Sequence, residues 1–196
     1  MSRPVKFNRP NVIEKSMRLF WENGYKNTSI KQLSQHMDMR PGSLYAAFKS
    51  KRQLFLQALE LYFEQSSRQL TERLKLGDTP LTSIRAYFSK LIDDLMNKQS
   101  IKGCLMINTA TELAEHDEEI KNRLDEMFSS HELQFYQLLQ QAQSTGELAS
   151  GKDAESLARF LLMGIRGIKV YSQTGTSRKH LEGLVDNLLI VLSQKV

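Results

Sequence analysis

The 196-residue sequence predicts an all-α fold, in which a small N-terminal three-helix domain over residues 1–52 precedes a larger helical domain over residues 53–196. Apolar residues recur three and four positions apart along most of the chain, and no stretch alternates apolar and polar residues for long. The chain contains only 4 prolines and 10 glycines, so helices are seldom interrupted.

The composition and charge of the chain indicate its environment and the kind of partner that it binds. The chain is 40% hydrophobic and 25% charged, which is typical of globular proteins, and its longest apolar cluster, residues 188–192, is too short to cross a bilayer. We therefore expect a cytoplasmic protein without a membrane partner. Residues 1–52 carry 11 Lys and Arg against 3 Asp and Glu, whereas residues 53–196 have a net charge of −3. This asymmetry suits a polyanion bound at the N-terminal end, although a solvated basic face would look the same.

The first helix is predicted to open at Pro10 and to end at Gly24, with Met17, Phe20 and Trp21 on its apolar stripe. This stripe should form the floor of the N-terminal domain. The preceding cations Arg3, Lys6 and Arg9 suggest either an arm that touches nucleic acid or a plain disordered terminus.

Residues 28–51 predict two short helices joined by a tight turn. Thr28 can cap the first helix, whose apolar residues Leu33 and Met37 lie one turn apart, and Pro41 can start the second. In the second helix Leu44 and Phe48 can face inward, which leaves its other faces polar or small. This arrangement is a helix-turn-helix, whose second helix can enter a DNA major groove.

These residues carry a family resemblance. Thr28-Ser29-Ile30, Leu33, Gly42-Ser43-Leu44-Tyr45, Phe48 and Lys51 resemble the signature of the TetR/AcrR family of one-component bacterial transcription regulators. The resemblance is dense over about the first quarter of the chain and looser afterwards. It implies a homodimeric repressor that binds a palindromic double-stranded DNA operator and is released by a small-molecule inducer.

Nine residues are predicted to contact DNA, in three ways. Hydroxyls at a helix N-terminus favour phosphate, Arg and Ala can read base edges, and the resemblance implies that Tyr45 and Lys51 clamp the backbone. Tyr45 could instead be a half-buried core phenol. The predicted set is Thr28, Ser29, Arg40, Ser43, Tyr45, Ala46, Ala47, Lys49 and Lys51.

Five more helices follow in the pattern. A long amphipathic helix should run from Lys51 to about Leu76, and Thr79-Pro80 starts another that reaches Asn97. Periodic apolar residues then predict helices over 117–143, after Asp153 and after Ser177.

The segment 98–116 should be a loop followed by a sixth helix, which is rich in small and medium-sized residues and has Cys104 near its N-terminus. Gly103-Cys104-Leu105 with Asn108 and Glu112 is similar to a branch of the family that senses electrophiles or oxidants through a cysteine. A thiolate near a helix N-terminus is stabilised by the helix dipole, which favours a sensor. A cysteine is equally at home as a buried packing residue.

An inducer cavity is expected between the middle helices, lined by aromatic and thioether side chains, although each of these could be ordinary core. Arg166 and Lys169 could stabilise the thiolate or hold an anionic ligand if they face inward. The predicted ligand and sensor set is Cys104, Tyr87, Phe88, Met106, Phe128, Phe135, Phe160, Met163, Arg166 and Lys169.

The last two helices are apolar on more than one face, which predicts a four-helix dimer interface or, alternatively, packing within one chain. The predicted interface set is Phe160, Gly164, Gly167, Ile168, Leu181, Leu184, Leu188 and Leu192.

Other functions fit the sequence less well. The four histidines are scattered without metal-ligand spacing, no phosphate loop is present, and no catalytic base accompanies Cys104, so we predict no enzyme, cofactor or metal. A helical adaptor that binds only protein would not need the basic N-terminal end. Within the regulator class, an alternative to sensing through Cys104 is that the cavity senses only a non-covalent hydrophobic ligand. The thiol is then structural.

Overall fold

The computed structural model describes residues 7–97 and 103–193, and within these ranges it shows helices and no strand. The predicted all-α fold is confirmed. The α-helices are α1 Arg9–Asn23, α2 Ile30–His36, α3 Pro41–Phe48, α4 Lys51–Arg73, α5 Pro80–Met96, α6 Leu105–Leu113, α7 Glu118–Ser144, α8 Ala154–Tyr171 and α9 Arg178–Ser193.

Side-chain caps fix most helix starts. Thr79 caps α5 and Asp153 caps α8, as the sequence predicts, and Asp117 caps α7 by accepting a hydrogen bond from the Ile120 amide. The prediction for Thr28 is wrong. Ser29 caps α2, because it forms a reciprocal pair of hydrogen bonds with Gln32.

The first core joins the N-terminal helices to α6 and to the first half of α7. Phe20 of α1 packs edge-on against Phe55 of α4, with ring centroids 5.0 Å apart, and Leu33 and Leu44 of the helix-turn-helix are fully buried beside them. Met106 of α6 belongs to the same cluster. The N-terminal helices therefore rest directly on the helices that follow Cys104.

The second core holds α5, the second half of α7, α8 and α9 together. Phe88, Phe135 and Leu181 are buried at its centre. Because α4 contributes Leu70 and Leu74 to this cluster as well as its first half to the other one, it links the two cores.

Of the predicted N-terminal arm, Arg3 and Lys6 lie outside the described residues. Arg9 begins α1 and donates hydrogen bonds to the Ala47 carbonyl and to Gln57 Oε1, both at 2.8 Å. Its guanidinium also lies 4.4 Å from the centre of the Phe48 ring. These contacts tie α1 to the C-terminal end of α3. In the described ranges, none of the helices combines the length and apolar content that a bilayer crossing requires.

Candidate DNA-binding surface and ligand cavity

The outer face of α3 is open to solvent. Arg40, Ser43, Tyr45, Ala46 and Lys49 are all exposed, while Leu44 and Phe48 turn inward onto the core. The Tyr45 ring is 50% exposed, so its alternative as a core phenol is wrong. Ala47 is half-buried beside this face. The second helix of the motif thus presents small and hydroxyl-bearing side chains between two flanking cations, Arg40 and Lys49, a surface of the kind that reads a DNA groove.

Two of the predicted DNA contacts are turned inward instead. The Thr28 side chain is fully buried and its hydroxyl donates to the Gly24 carbonyl at 2.6 Å, so it cannot reach a phosphate. The Lys51 ammonium donates to the carbonyls of Tyr25 and Thr28 at 2.9 and 3.0 Å and lies 4.2 Å from the Tyr25 ring centre. Burial lowers the pKa of Lys51 despite the nearby Glu112 carboxylate. Both residues therefore stabilise the turn between α1 and α2 through these hydrogen bonds.

Glu112 holds the same turn from the opposite side, which the sequence gives no sign of. Its carboxylate accepts hydrogen bonds from the backbone amides of Tyr25 at 2.9 Å and Lys26 at 2.6 Å. Glu112 lies near the end of α6, more than eighty residues along the chain from its partners. Lys51 satisfies the carbonyls of the turn and Glu112 satisfies its amides, so the turn is fixed to both α4 and α6.

A second link joins α4 to α7. Arg52 contacts both Asp117 Oδ1 and Glu119 Oε2, at 3.0 and 2.7 Å. The Ile120 amide and the Arg52 guanidinium lower the pKa of the Asp117 carboxyl. The start of α4 is therefore held against the start of α7 by paired charges.

Lys49 connects α3 to α4 in a strained conformation. Its φ is +65° and its ψ −42°, and the Ser50 amide donates to the Phe48 carbonyl across it at 2.8 Å. These are the features of a γ-turn of the rare type with positive φ, which costs energy for any residue with a Cβ.

A cavity of about 300 Å³ lies among α1, α4, α5, α6, α7 and α8. Six members of the predicted ligand set line it: Tyr87, Cys104, Met106, Phe128, Arg166 and Lys169. Four others do not. Phe88 and Phe135 are fully buried in the second core, Phe160 is half-buried on another face of α8, and Met163 is 59% exposed. Their apolar character serves packing or an outer surface instead.

Cys104 lies at the wall of this cavity, immediately before α6. It is the N-cap residue of α6, its side chain is buried, and it makes no capping hydrogen bond. The Tyr62 hydroxyl lies beside its sulfur, and burial together with this neighbour raises the pKa of Tyr62 well above its usual value. The thiol thus faces a cavity and the positive end of a helix dipole at once.

Charged side chains from several helices line the same cavity. Arg73 and Asp94 form a salt bridge with each other. Arg166 lies over the Phe128 ring, 4.1 Å from its centre. His131 is kept neutral, because burial and the nearby charges of Lys169 and Arg166 lower its pKa to about 4. Both α8 cations do face inward, as one of the two predicted alternatives required.

The predicted dimer residues divide into three groups. Ile168, Leu181 and Leu192 are buried inside the chain, so they cannot contact a partner. Gly164 and Leu188 pack against each other, because a Cβ on Gly164 would lie 2.4 Å from Leu188 Cδ2. The remaining members, Phe160, Gly167 and Leu184, are half-buried or exposed. Four further apolar side chains of α8 and α9 are exposed to solvent and were not in the predicted interface set: Met163, Val170, Tyr171 and Ile190.

The fold and these surfaces define a class of protein. A helix-turn-helix, whose exposed second helix is flanked by the cations Arg40 and Lys49, is joined to a helical body that encloses a ligand-sized cavity, which is the organisation of a DNA-binding transcription regulator. Residues 12–58 match the family model described as bacterial regulatory proteins, tetR family, and residues 80–188 match the tetracyclin repressor-like, C-terminal domain. The chain belongs to the TetR family, as the sequence resemblance implied.

Individual relatives agree with this assignment. The chain is 31% identical over 180 residues to the HTH-type transcriptional repressor ComR of Escherichia coli, covering 91% of this chain and 86% of ComR. It is 30% identical to the uncharacterized HTH-type transcriptional regulator YezE of Bacillus subtilis, over 98% of this chain and 100% of YezE. A cysteine mutant of the TetR family regulator CifR, solved in complex with 26-base-pair operator DNA, superposes with a TM-score of 0.87 at 26% identity and covers 97% of this chain and 100% of CifR. These relatives are regulators rather than enzymes.

Proposed function

We propose that this protein is a homodimeric transcriptional repressor that binds a palindromic operator. In this proposal residues 1–52 read DNA, and residues 53–196 form the ligand-binding and dimerisation domain. The observation that carries it is the exposed face of α3, which is flanked by the cations Arg40 and Lys49. The operator complex of CifR and the repressor function of ComR support the same assignment.

We call residues 1–52 the DNA-binding head. Its exposed residues have distinct roles in this proposal. Arg40, Ser43, Ala46 and the half-buried Ala47 contact base edges, because they lie at the turn and along α3. Ser29, Tyr45 and Lys49 contact phosphates, and so fix the position of the head without reading sequence. Thr28 and Lys51 are not assigned a DNA contact in this proposal, because the Thr28 hydroxyl and the Lys51 ammonium are hydrogen-bonded to backbone carbonyls of the chain.

A gel-shift series at rising salt tests DNA binding, using DNA fragments that the purified protein retains from a random pool. Arg40→Ala should weaken selective binding by about 1–3 kcal/mol and relax preference at one position of each half-site. Arg85→Ala, an exposed arginine on α5, is the matched control and should bind like the parent. Equal losses in both variants, or a parent that shows no sequence-selective complex, would contradict the assignment.

The partner at the outer face of α8 and α9 is a second copy of the chain. Met163, Val170, Tyr171, Leu184 and Ile190 are between 43% and 59% exposed, which is a large apolar exposure for two helices and favours a partner there. Two α8–α9 pairs can pack across a two-fold axis as a four-helix interface. This arrangement places the two α3 helices at matching positions of a near-palindrome.

Release from the operator is controlled at the cavity. A small molecule that binds there, or an electrophile that modifies Cys104, favours a spacing of the heads that no longer fits DNA; a hundredfold loss requires about 3 kcal/mol of differential binding. The alternative is a non-covalent ligand alone, with a structural thiol. In favour of a reactive thiol, Cys104 lines the cavity at a helix N-terminus.

N-ethylmaleimide separates these two mechanisms. The Cys104 sulfur adds to one carbon of the maleimide double bond, and a proton ends on the other carbon. If the thiol is the sensor, the reagent releases the parent from DNA and leaves Cys104→Ser bound. If both proteins behave alike, the thiol is structural and the ligand acts non-covalently.

We also propose that the protein is cytoplasmic, since its DNA target lies there, and that it has no catalytic activity.

A further inference from the structure

Several nitrogen donors lining the cavity have no hydrogen-bond partner among the residues that the structure describes. Trp21 Nε1 on α1 and His131 Nε2 on α7 are buried and make no hydrogen bond with residues 7–97 or 103–193. The Lys169 ammonium on α8 forms no hydrogen bond or salt bridge with these residues either. Buried polar groups in folded proteins are almost always paired, so the two buried nitrogens, together with a nearby ammonium that forms no salt bridge, point to a ligand that supplies acceptors.

The charged side chains of the cavity wall carry a net positive charge. Asp94 is its acidic residue among those described, and Arg73 already neutralises it. Arg166 and Lys169, three positions apart on α8, form no salt bridge with a described residue, and the carboxylates that act on them from a distance, Glu132 and Asp94, are each paired with another arginine. His131 adds no positive charge near neutral pH, since its pKa is about 4. A low-dielectric site with uncompensated cations is costly unless an anion enters it.

The rest of the wall sets the shape of that anion. Leu91, Met106, Phe128, Leu162 and Ile165 provide apolar surface around the charged end. A volume of about 300 Å³ is at the lower limit of small-molecule sites, which suits one aromatic ring or a short alkyl chain.

We propose that the cavity binds a small organic carboxylate with a one-ring or short-chain apolar body, its acceptor oxygens meeting Lys169, Arg166 and the Trp21 indole N–H. This inference rests on the proposed role of the cavity as the inducer site and names the chemical class of the inducer. It also gives the ligand a direct contact with α1, the first helix of the DNA-binding head, through Trp21.

The fluorescence of Trp21 provides the test, because it is the one tryptophan in the sequence and lines the cavity. The full-length protein, without DNA, is titrated with phenylacetate and hexanoate, and in parallel with their neutral counterparts phenylacetamide and hexanamide. At least one acid should bind at least about tenfold more tightly than its amide, as expected for hydrogen bonds between charged groups. If neither acid binds more tightly than its amide, the proposal is overturned.

Substitutions locate the preference. Lys169→Met and Arg166→Met should each bring the acid and the amide to within about threefold of one another, whereas Lys90→Met, an exposed lysine on α5, should keep the parent preference. An unchanged preference in both cavity variants would overturn the proposal. Circular dichroism checks folding, and if Lys169→Met fails to fold, Arg166→Met decides. Because the titration contains no DNA, its failure is distinct from a failure of operator binding in the gel shift.

Discussion

His131 carries a pH dependence that follows from its surroundings. Its ring is largely buried 5.5 Å from the Phe63 ring, and burial with the Lys169 and Arg166 charges lowers its pKa from 6.5 to about 4. The unfolded chain takes up a proton near pH 6.5, whereas the folded chain does not until about pH 4. The stability that this histidine contributes is therefore complete above pH 6.5 and is lost as pH falls toward 4.

We expect the loss over this window to be about 3 kcal/mol for His131 alone. Urea unfolding at fixed protein concentration gives the free energy of unfolding of the parent and of His131→Gln between pH 7.5 and 4.5. The difference between the two proteins in how this free energy changes with pH measures the contribution of His131. His36→Gln, at an exposed position on α2, should follow the parent. Parallel curves for the parent and His131→Gln would show that the histidine is not held neutral.

Lys49 combines a strained backbone with a proposed phosphate contact, so its substitutions should separate stability from affinity. Lys49→Gly relieves the positive φ of +65° and should be about 1 kcal/mol more stable than Lys49→Ala. Both variants lose the ammonium, so the slope of the logarithm of the DNA-binding constant against the logarithm of salt concentration should become shallower by about one. Denaturant midpoints and gel shifts measure the two effects. Equal stability of the Gly and Ala variants would show that the turn is unstrained.

At the scale of elements, α6 is a short connection between the cavity and the head. Cys104 precedes its first residue at the cavity wall, and Glu112 near its end binds the Tyr25 and Lys26 amides. A nine-residue helix is about 13 Å long, so a displacement at one end is felt at the other. A ligand beside Cys104 can thus shift the turn that leads into the helix-turn-helix.

Removing the Glu112 carboxylate should loosen this turn. Glu112→Ala should cost about 2 kcal/mol locally, since hydrogen bonds to charged acceptors are the stronger ones, and should raise hydrogen exchange at the Tyr25 and Lys26 amides about thirtyfold. Glu115→Ala removes an exposed carboxylate from the same segment and is the control. Exchange that is unchanged in Glu112→Ala would mean that α6 does not restrain the head.

Two glycines of α8 offer a matched pair for the outer face. A Cβ at Gly164 would meet Leu188, whereas a Cβ at Gly167 meets nothing within 4 Å in its own chain. Gly164→Ala should lower the free energy of unfolding by about 1–2 kcal/mol. Gly167→Ala should leave each chain intact and weaken dimerisation about tenfold, because we propose that the partner packs at this position. Sedimentation equilibrium measures the dimer, and an unweakened Gly167→Ala dimer would place the interface elsewhere.

Sequence periodicity predicted the helices well and the cavity only in part. Helix starts could be predicted where a cap or proline marks them, as at Thr79 and Asp153. Periodicity indicates that Tyr87 and Phe88 both face inward, but only the arrangement of neighbouring helices decides that Tyr87 reaches the cavity and Phe88 fills the core. The role of Glu112 depends on a contact between distant parts of the chain, which no local pattern encodes.

For the whole molecule, the charge asymmetry and the two cores fit one arrangement. The N-terminal 52 residues carry a net charge of +8 and the remainder −3, so DNA is attracted to one end. The first core joins that end to α6 and α7, and α4 runs on into the second core beneath α8 and α9. A change at the cavity, which lies where these helices meet, can therefore alter how two heads of a dimer are spaced.

A footprint of the protein on its selected DNA, combined with the mass of the complex, tests the central claim most directly. We expect two protected half-sites related by a two-fold axis, with centres about 34–36 Å or a related spacing apart, and a complex whose protein mass is a multiple of two chains. Protection of one isolated half-site by one chain would contradict the account.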